Sequence, residues 1–153
     1  MEASRESGGE SYTGVQRALD SSGVAMSLTD LSPREYHERR QQERRAEREA
    51  LRREVLEQAR SAIRRLAPQF PAVRAAYLFG SVLVPGRFLP RSDVDVAVDC
   101  DSVEAETPFW RALEEALERN VDLRPRTGGV ARAVEDYGEQ CYERDVSDPG
   151  GEL

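Results

Sequence analysis

The sequence predicts a small α/β (α+β) domain that follows a long charged helix. Three observations lead to this fold class. The chain has 153 residues, which suits a single core; an arginine-rich segment has helical spacing; and short apolar strands alternate with helices after Pro71. We expect a small mixed sheet of about three strands flanked by helices.

Composition divides the chain into consecutive segments. Residues 1–32 are rich in Gly, Ser and Thr without an apolar period, which is typical of a disordered tail. Residues 33–67 are expected to form the long charged helix. Residues 68–146 hold the predicted domain, and residues 147–153 form a C-terminal tail.

The charged helix has two different halves. Ser32, Pro33 and Glu35 are typical of a helix start, and Pro68 ends the pattern. The second half carries an apolar stripe of Leu51, Val55, Ala59, Ile63 and Leu66. The first half is polar all round, with Glu and Arg three or four residues apart. It is therefore either a solvated helix held by ion pairs or an arm that touches a partner protein or RNA.

Strands and helices alternate in the predicted domain. VRAAYLF (73–79) is expected to be a buried strand, and SDVDVAVD (92–99) alternates polar and apolar residues as a strand with two different faces does. The remaining predicted elements are a helix opened by Thr107 and Pro108 and closed by Asn120, a short strand VDL (121–123), and a last helix over roughly 130–144.

Composition excludes several kinds of chemistry. All 22 basic residues are Arg, so no lysine can form a Schiff base or bind phosphate. His37 is the only histidine, and with Cys100 and Cys141 it makes too few ligands for a zinc site. We expect both cysteines to be reduced thiols. The chain has neither an apolar run near the ~18 residues of a membrane span nor a signal-peptide pattern, which predicts a cytoplasmic protein with no membrane association.

Three neighbouring features can carry chemistry. Gly80 and Ser81 end a buried strand and open a short helix, where free backbone N–H groups and the hydroxyl can bind a phosphate. Asp93 and Asp95 stand two positions apart on a strand, so both side chains leave the same face and repel each other unless a divalent cation such as Mg²⁺ binds. Asp122 completes a two-metal site if its strand lies beside theirs. An isolated Asp-x-Asp is more often solvated, and it is the combination that is specific.

The run LFGSVLVPGRFLPRSDVDVAVD resembles the signature of the minimal (MNT) branch of the polymerase-β-like nucleotidyltransferase superfamily. The resemblance covers roughly residues 70–145 and implies the fold of that superfamily, with ATP as substrate. It implies that Gly80 and Ser81 contact the nucleotide phosphates, and that two Mg²⁺ ions are held by the three acids Asp93, Asp95 and Asp122.

The loop between these motifs departs from the resemblance. Eleven residues, Val82 to Ser92, separate Gly80-Ser81 from the first acid, where minimal members usually have ten. Pro85-Gly86 is expected to absorb the extra residue. In the same loop Arg87 or Arg91 can contact the triphosphate, with Arg91 as the main candidate and solvation of the loop as the alternative. Arg124, which follows the third acid, replaces a residue that is apolar in many relatives.

The resemblance implies a nucleotidyltransferase that transfers AMP from ATP to a partner protein by two-metal catalysis. Members of this branch pair with a HEPN-domain protein as a toxin–antitoxin system, which would make this chain the antitoxin. Two alternatives stay open: a catalytically weak or inactive binding module that acts by complex formation, and nucleotidyl transfer to a small molecule. Nucleic-acid binding is disfavoured by the seven Glu interleaved with Arg in the charged helix. The oligomeric state is left open.

Overall fold

A computed structural model describes the chain at residues 17–19, 25–27 and 30–145. The chain divides into two compact units, residues 1–45 and 46–153. None of the helices in the described part is both long enough and apolar enough to cross a membrane.

Two short strands lie within the segment for which we expected disorder. Strands β1 (Arg17–Leu19) and β2 (Ala25–Ser27) pair antiparallel. Strands of three residues are too short to show an apolar period in the sequence. The other positions of the predicted tail up to residue 29, and the predicted C-terminal tail 147–153, lie outside the described residues.

The long helix begins at the predicted residue. Helix α1 spans Pro33–Leu66, and a 3-10 turn, Ala67–Gln69, follows it. At its start the N–H of Ser32 donates to Oε1 of Glu35 at 2.9 Å, and the N–H of Glu35 donates to Oγ of Ser32 at 3.1 Å. This reciprocal pair is a capping box, which satisfies two backbone donors that the helix itself leaves free.

A four-stranded mixed sheet confirms the predicted fold class. Its strands are β3 (Val73–Phe79), β4 (Val94–Cys100), β5 (Val121–Pro125) and β6 (Glu139–Glu143), in the order β5-β4-β3-β6. Strand β3 pairs antiparallel with both β4 and β6, whereas β4 and β5 are parallel. A parallel pair needs a crossover, and α2 supplies it.

Helix α2 spans Val103–Leu117 and starts four residues before the predicted Thr107. Ser102 is its N-cap, since its Oγ accepts the N–H of Ala105 at 3.2 Å. The cap satisfies a free donor of the first turn and moves the start ahead of the proline.

The last predicted helix, 130–144, is wrong in its second half. Helix α3 spans Gly128–Tyr137, and the strand β6 replaces the expected final turns. The N–H of Gly138 donates to the carbonyl of Val134 at 2.8 Å and closes the helix. A Cβ on Gly138 would lie 2.7 Å from Cα of Val134, so no larger residue fits there without a shift.

The core lies between one face of the sheet and the two helices α1 and α2. Its largest fully buried side chains are Phe88, Phe109, Ile63, Leu78, Leu113, Val73, Val82, Val94, Val96 and Val98. Because side chains alternate along a strand, the polar residues between these core positions lie on the other face of the sheet. Asp95 and Asp122 are such residues.

Candidate functional site

Strand pairing brings two of the three predicted acids side by side. In the parallel pair of β4 and β5, Asp95 is the register partner of Asp122. In the antiparallel pair of β3 and β4, Asp95 is also the partner of Phe79, the residue before Gly80. The two aspartates and the start of the Gly80-Ser81 turn therefore meet at one end of the sheet. Asp93 is exposed and lies just before β4.

The surroundings of Asp95 disfavour the charged form of its carboxyl group. Its pKa is raised from 3.8 to about 6, mainly by burial, then by the negative charges of Asp122 and Asp93, while Arg124 opposes the rise. A half-buried carboxyl beside two other carboxylates is hard to ionise without a cation. The donor set of three carboxylates suits a hard cation such as Mg²⁺.

Arg124 binds the third acid on both oxygens. Its Nε donates to Oδ1 of Asp122 at 3.1 Å, and its Nη2 lies 2.9 Å from Oδ2. Among the residues that the structure describes, no group of three or more His, Cys, Asp or Glu side chains is arranged to hold a metal ion. Arg124, whose side chain is 58% exposed, therefore competes with a cation for the Asp122 carboxylate.

The turn after β3 requires glycine on two counts. Gly80 has a φ of +80°, a backbone conformation that L side chains rarely adopt. A Cβ at this position would lie 1.9 Å from Oδ2 of Asp95, well inside contact distance. Gly80 and Ser81 open the expected short helix, a 3-10 turn over Gly80–Leu83. The missing side chain thus lets the Gly80-Ser81 turn lie against the Asp95 carboxylate.

The loop between the two motifs is held by an arginine that the sequence did not single out. Nη1 of Arg119 donates to the carbonyls of Pro90 at 3.0 Å and Ser92 at 2.9 Å, just before Asp93. Its guanidinium also lies 5.2 Å from the ring centroid of Phe88. Arg91, the candidate triphosphate contact, is exposed in this loop.

Tyr137 is a second residue that sequence reasoning missed. Its side chain is about half exposed, at the end of α3. The N–H of Gly80 donates to its hydroxyl oxygen at 3.2 Å. Nothing in the local sequence signals this contact, because the two residues are 57 positions apart.

Comparison with known proteins gives one family match. Residues 61–145, more than half of the chain, match the sequence model of the family described as polymerase beta, nucleotidyltransferase. No curated protein sequence matches the chain.

Several solved structures are similar to part of the chain. A toxin–antitoxin structure with AMP-PNP is 27% identical, with a TM-score of 0.47, over 60% of this chain and 79% of that one. A mutant MntA toxin–antitoxin structure is 25% identical, with a TM-score of 0.46, over 61% of this chain and 79% of that one. A structure of a tri-AMPylated Shewanella oneidensis HEPN toxin in complex with MNT antitoxin is 25% identical, with a TM-score of 0.42, over 63% of this chain and 79% of that one.

Proposed function

Since the chain belongs to the polymerase β nucleotidyltransferase family, we propose that it transfers AMP from ATP to a partner protein. One observation carries this proposal: Asp95 and Asp122 are register partners beside the glycine turn. The carboxylates and the Gly80-Ser81 turn lie at one end of the sheet, where a nucleoside triphosphate would meet both.

Each side chain has a part in the proposed reaction. Asp93, Asp95 and Asp122 would hold two Mg²⁺ ions, which supply neutralisation of the triphosphate charge when bound. Ser81 would donate its hydroxyl to a phosphate oxygen, and the backbone of the turn would add N–H donors. Asp122 would also accept the proton of the attacking group, while that group bonds to the α-phosphorus of ATP and pyrophosphate leaves. Arg124 would compete with both roles of Asp122.

We propose a HEPN-domain protein as the acceptor and partner. This follows from the resemblance of the motif run to the minimal branch, whose members pair with HEPN-domain toxins. The chain would then act in the cytoplasm as the antitoxin, and modification of the toxin would neutralise it.

Arg124 favours a second candidate function. It occupies both oxygens of Asp122, and if that bond persists, catalysis is weak or lost. The chain would then neutralise its partner by forming a complex, without transfer of AMP.

Mass spectrometry of the partner after incubation with ATP, Mg²⁺ and the full chain tests the proposal. We expect the mass of one or more AMP groups on the partner with the wild type and with Asp99→Asn, and none with Asp95→Asn. Asp99 is the matched control, because it lies four residues further along β4 and is bound by Arg126 at 2.8 Å, between Nη2 and Oδ2. Transfer by Asp95→Asn at the wild-type rate would contradict the proposed site.

A further inference from the structure

A buried arginine of α1 binds the turn that follows β3. The side chain of Arg52 is 9% exposed, and its Nη1 donates to the carbonyl oxygen of Val82 at 2.9 Å. Val82 follows Ser81 directly and is itself fully buried. The last carbonyls of a short helix have no partner within it, so Arg52 caps the end of the turn that Gly80 begins.

Glu49 extends this contact to the loop beyond. It lies one helical turn before Arg52 and accepts from Nε of Arg52 at 3.1 Å and from Nη2 at 2.5 Å. Its Oε1 also accepts the backbone N–H of Gly86 at 3.4 Å. The hydrogen bond from Arg52 lowers the pKa of Glu49, which keeps the carboxylate charged. One ion pair on α1 therefore holds both ends of the segment from Val82 to Gly86.

This segment lies in the spacer that is one residue longer than the resemblance leads one to expect. Gly86 has a φ of +83°, and with Pro85 it forms the part of the eleven-residue spacer that we expected to absorb the extra residue. An additional residue adds freedom to a loop. The bond from Gly86 to Glu49 restricts the loop at Gly86.

We propose that Arg52 and Glu49 are positioning residues, which hold the Gly80-Ser81 turn in the conformation that binds nucleotide phosphates. Neither would touch the nucleotide, since Arg52 is buried and already binds Val82 and Glu49. Their effect would pass through the backbone of the turn. This inference rests on the proposed nucleotide binding at that turn.

Full-length variants test the inference, with a control on the same helix. Arg52→Gln removes the charge. Arg52→Lys keeps the charge but places its donors on a single nitrogen, so the fork of the guanidinium is lost. Glu49→Gln keeps the shape of the carboxylate and removes its charge. Arg60→Gln is the matched control. Arg60 lies about two turns further along α1 and pairs with Glu139 at 2.6 Å, so its loss breaks an ion pair between α1 and β6 and leaves the bonds to Val82 and Gly86 in place.

Three quantities are measured for each variant: the Kd of a non-hydrolysable ATP analogue with Mg²⁺, the amide exchange of residues 80–87, and the Tm. We expect Arg52→Gln to weaken nucleotide binding about tenfold, as the loss of one charge-assisted hydrogen bond would, and to speed exchange at Gly86. Arg52→Lys should recover part of the affinity. Arg60→Gln should bind nucleotide like the wild type, even if its Tm falls equally.

The outcomes separate this inference from the proposed function. A wild type that binds no nucleotide would contradict both. A wild type that binds, with Arg52→Gln and Glu49→Gln binding equally well, would overturn the positioning role alone. Should Arg52→Gln fail to fold, Arg52→Lys and Glu49→Gln decide: unchanged affinity and unchanged exchange at Gly86 in both would refute it.

Discussion

Replacement of Asp95 by Asn should stabilise the protein while destroying its site. The pKa of this carboxyl rises from 3.8 to about 6 on folding, because burial and the charges of Asp122 and Asp93 disfavour the anion. A rise of this size corresponds to at most about 3 kcal/mol, and solvent screening of a half-buried group reduces it to about 1–2 kcal/mol. We therefore expect Asp95→Asn to raise the Tm by roughly 2–8 °C at pH 7 in the absence of metal.

The sign of the pH dependence follows from the raised pKa. Between pH 3.8 and about 6 the folded wild type binds more protons at Asp95 than the unfolded chain does. Wild-type stability is therefore lost as the pH rises through this window, and the advantage of Asp95→Asn should grow through it and then level off.

The assay is thermal unfolding from pH 4 to pH 8 in EDTA, with Asp99→Asn as control. Asp99 is paired with Arg126, so its loss should not stabilise the fold. Addition of Mg²⁺ and nucleotide should stabilise the wild type more than Asp95→Asn. An Asp95→Asn variant that melts below the wild type at pH 7, or whose difference from it does not change with pH, would refute the reasoning.

Three further predictions concern the turn, the third acid and the first unit. Gly80→Ala should lower the free energy of unfolding by about 1–3 kcal/mol and abolish nucleotide binding, because the φ of +80° is strained for alanine and the added Cβ would clash with Asp95. Urea unfolding and nucleotide titration check this, and wild-type values in both would contradict it. Arg124→Leu should tighten Mg²⁺ binding, because it frees both oxygens of Asp122; calorimetry checks this, and an unchanged affinity would count against competition for that carboxylate. Deletion of residues 1–45, a compact unit by itself, should change the Tm by less than about 10 °C; a larger fall in a melting experiment would show that the second unit depends on it.

Elements with clear boundary residues could be predicted from the sequence. The strand VRAAYLF lies between Pro71 and Gly80, and β3 has the predicted bounds, Val73–Phe79. The helix start at Pro33 follows from the Ser32 and Glu35 capping pair. In both cases residues next to the element have the chemistry that starts or ends it.

The strand β6 could not be predicted in the same way. Val130, Val134, Tyr137 and Cys141 keep a helical spacing across Gly138, so the sequence pattern continues where the helix ends. Pairing with β3 decides the outcome, since it supplies backbone hydrogen bonds along the edge of the sheet.

In the site, too, contacts between neighbouring residues could be predicted from the sequence and contacts between distant residues could not. Asp122 and Arg124 lie on a common face because they are two residues apart on a strand. Their ion pair therefore follows from the local sequence, in which Arg124 stands where many relatives have an apolar residue. The contact from Arg52 to Val82 joins residues 30 positions apart. No periodicity reports such a contact, because it depends on how α1 lies on the sheet.

Asp122→Asn tests most directly the claim that this site transfers AMP to a protein. The partner's gain in AMP mass and its complex with the chain are measured together for this variant and the wild type. The substitution keeps the size of the side chain and removes its charge. We expect AMP on the partner with the wild type, a loss of transfer by orders of magnitude with Asp122→Asn, and an intact complex in both. If the wild type forms the complex and neutralises the partner but adds no AMP to it, the proposed enzymatic function is contradicted, and the chain acts as a binding module.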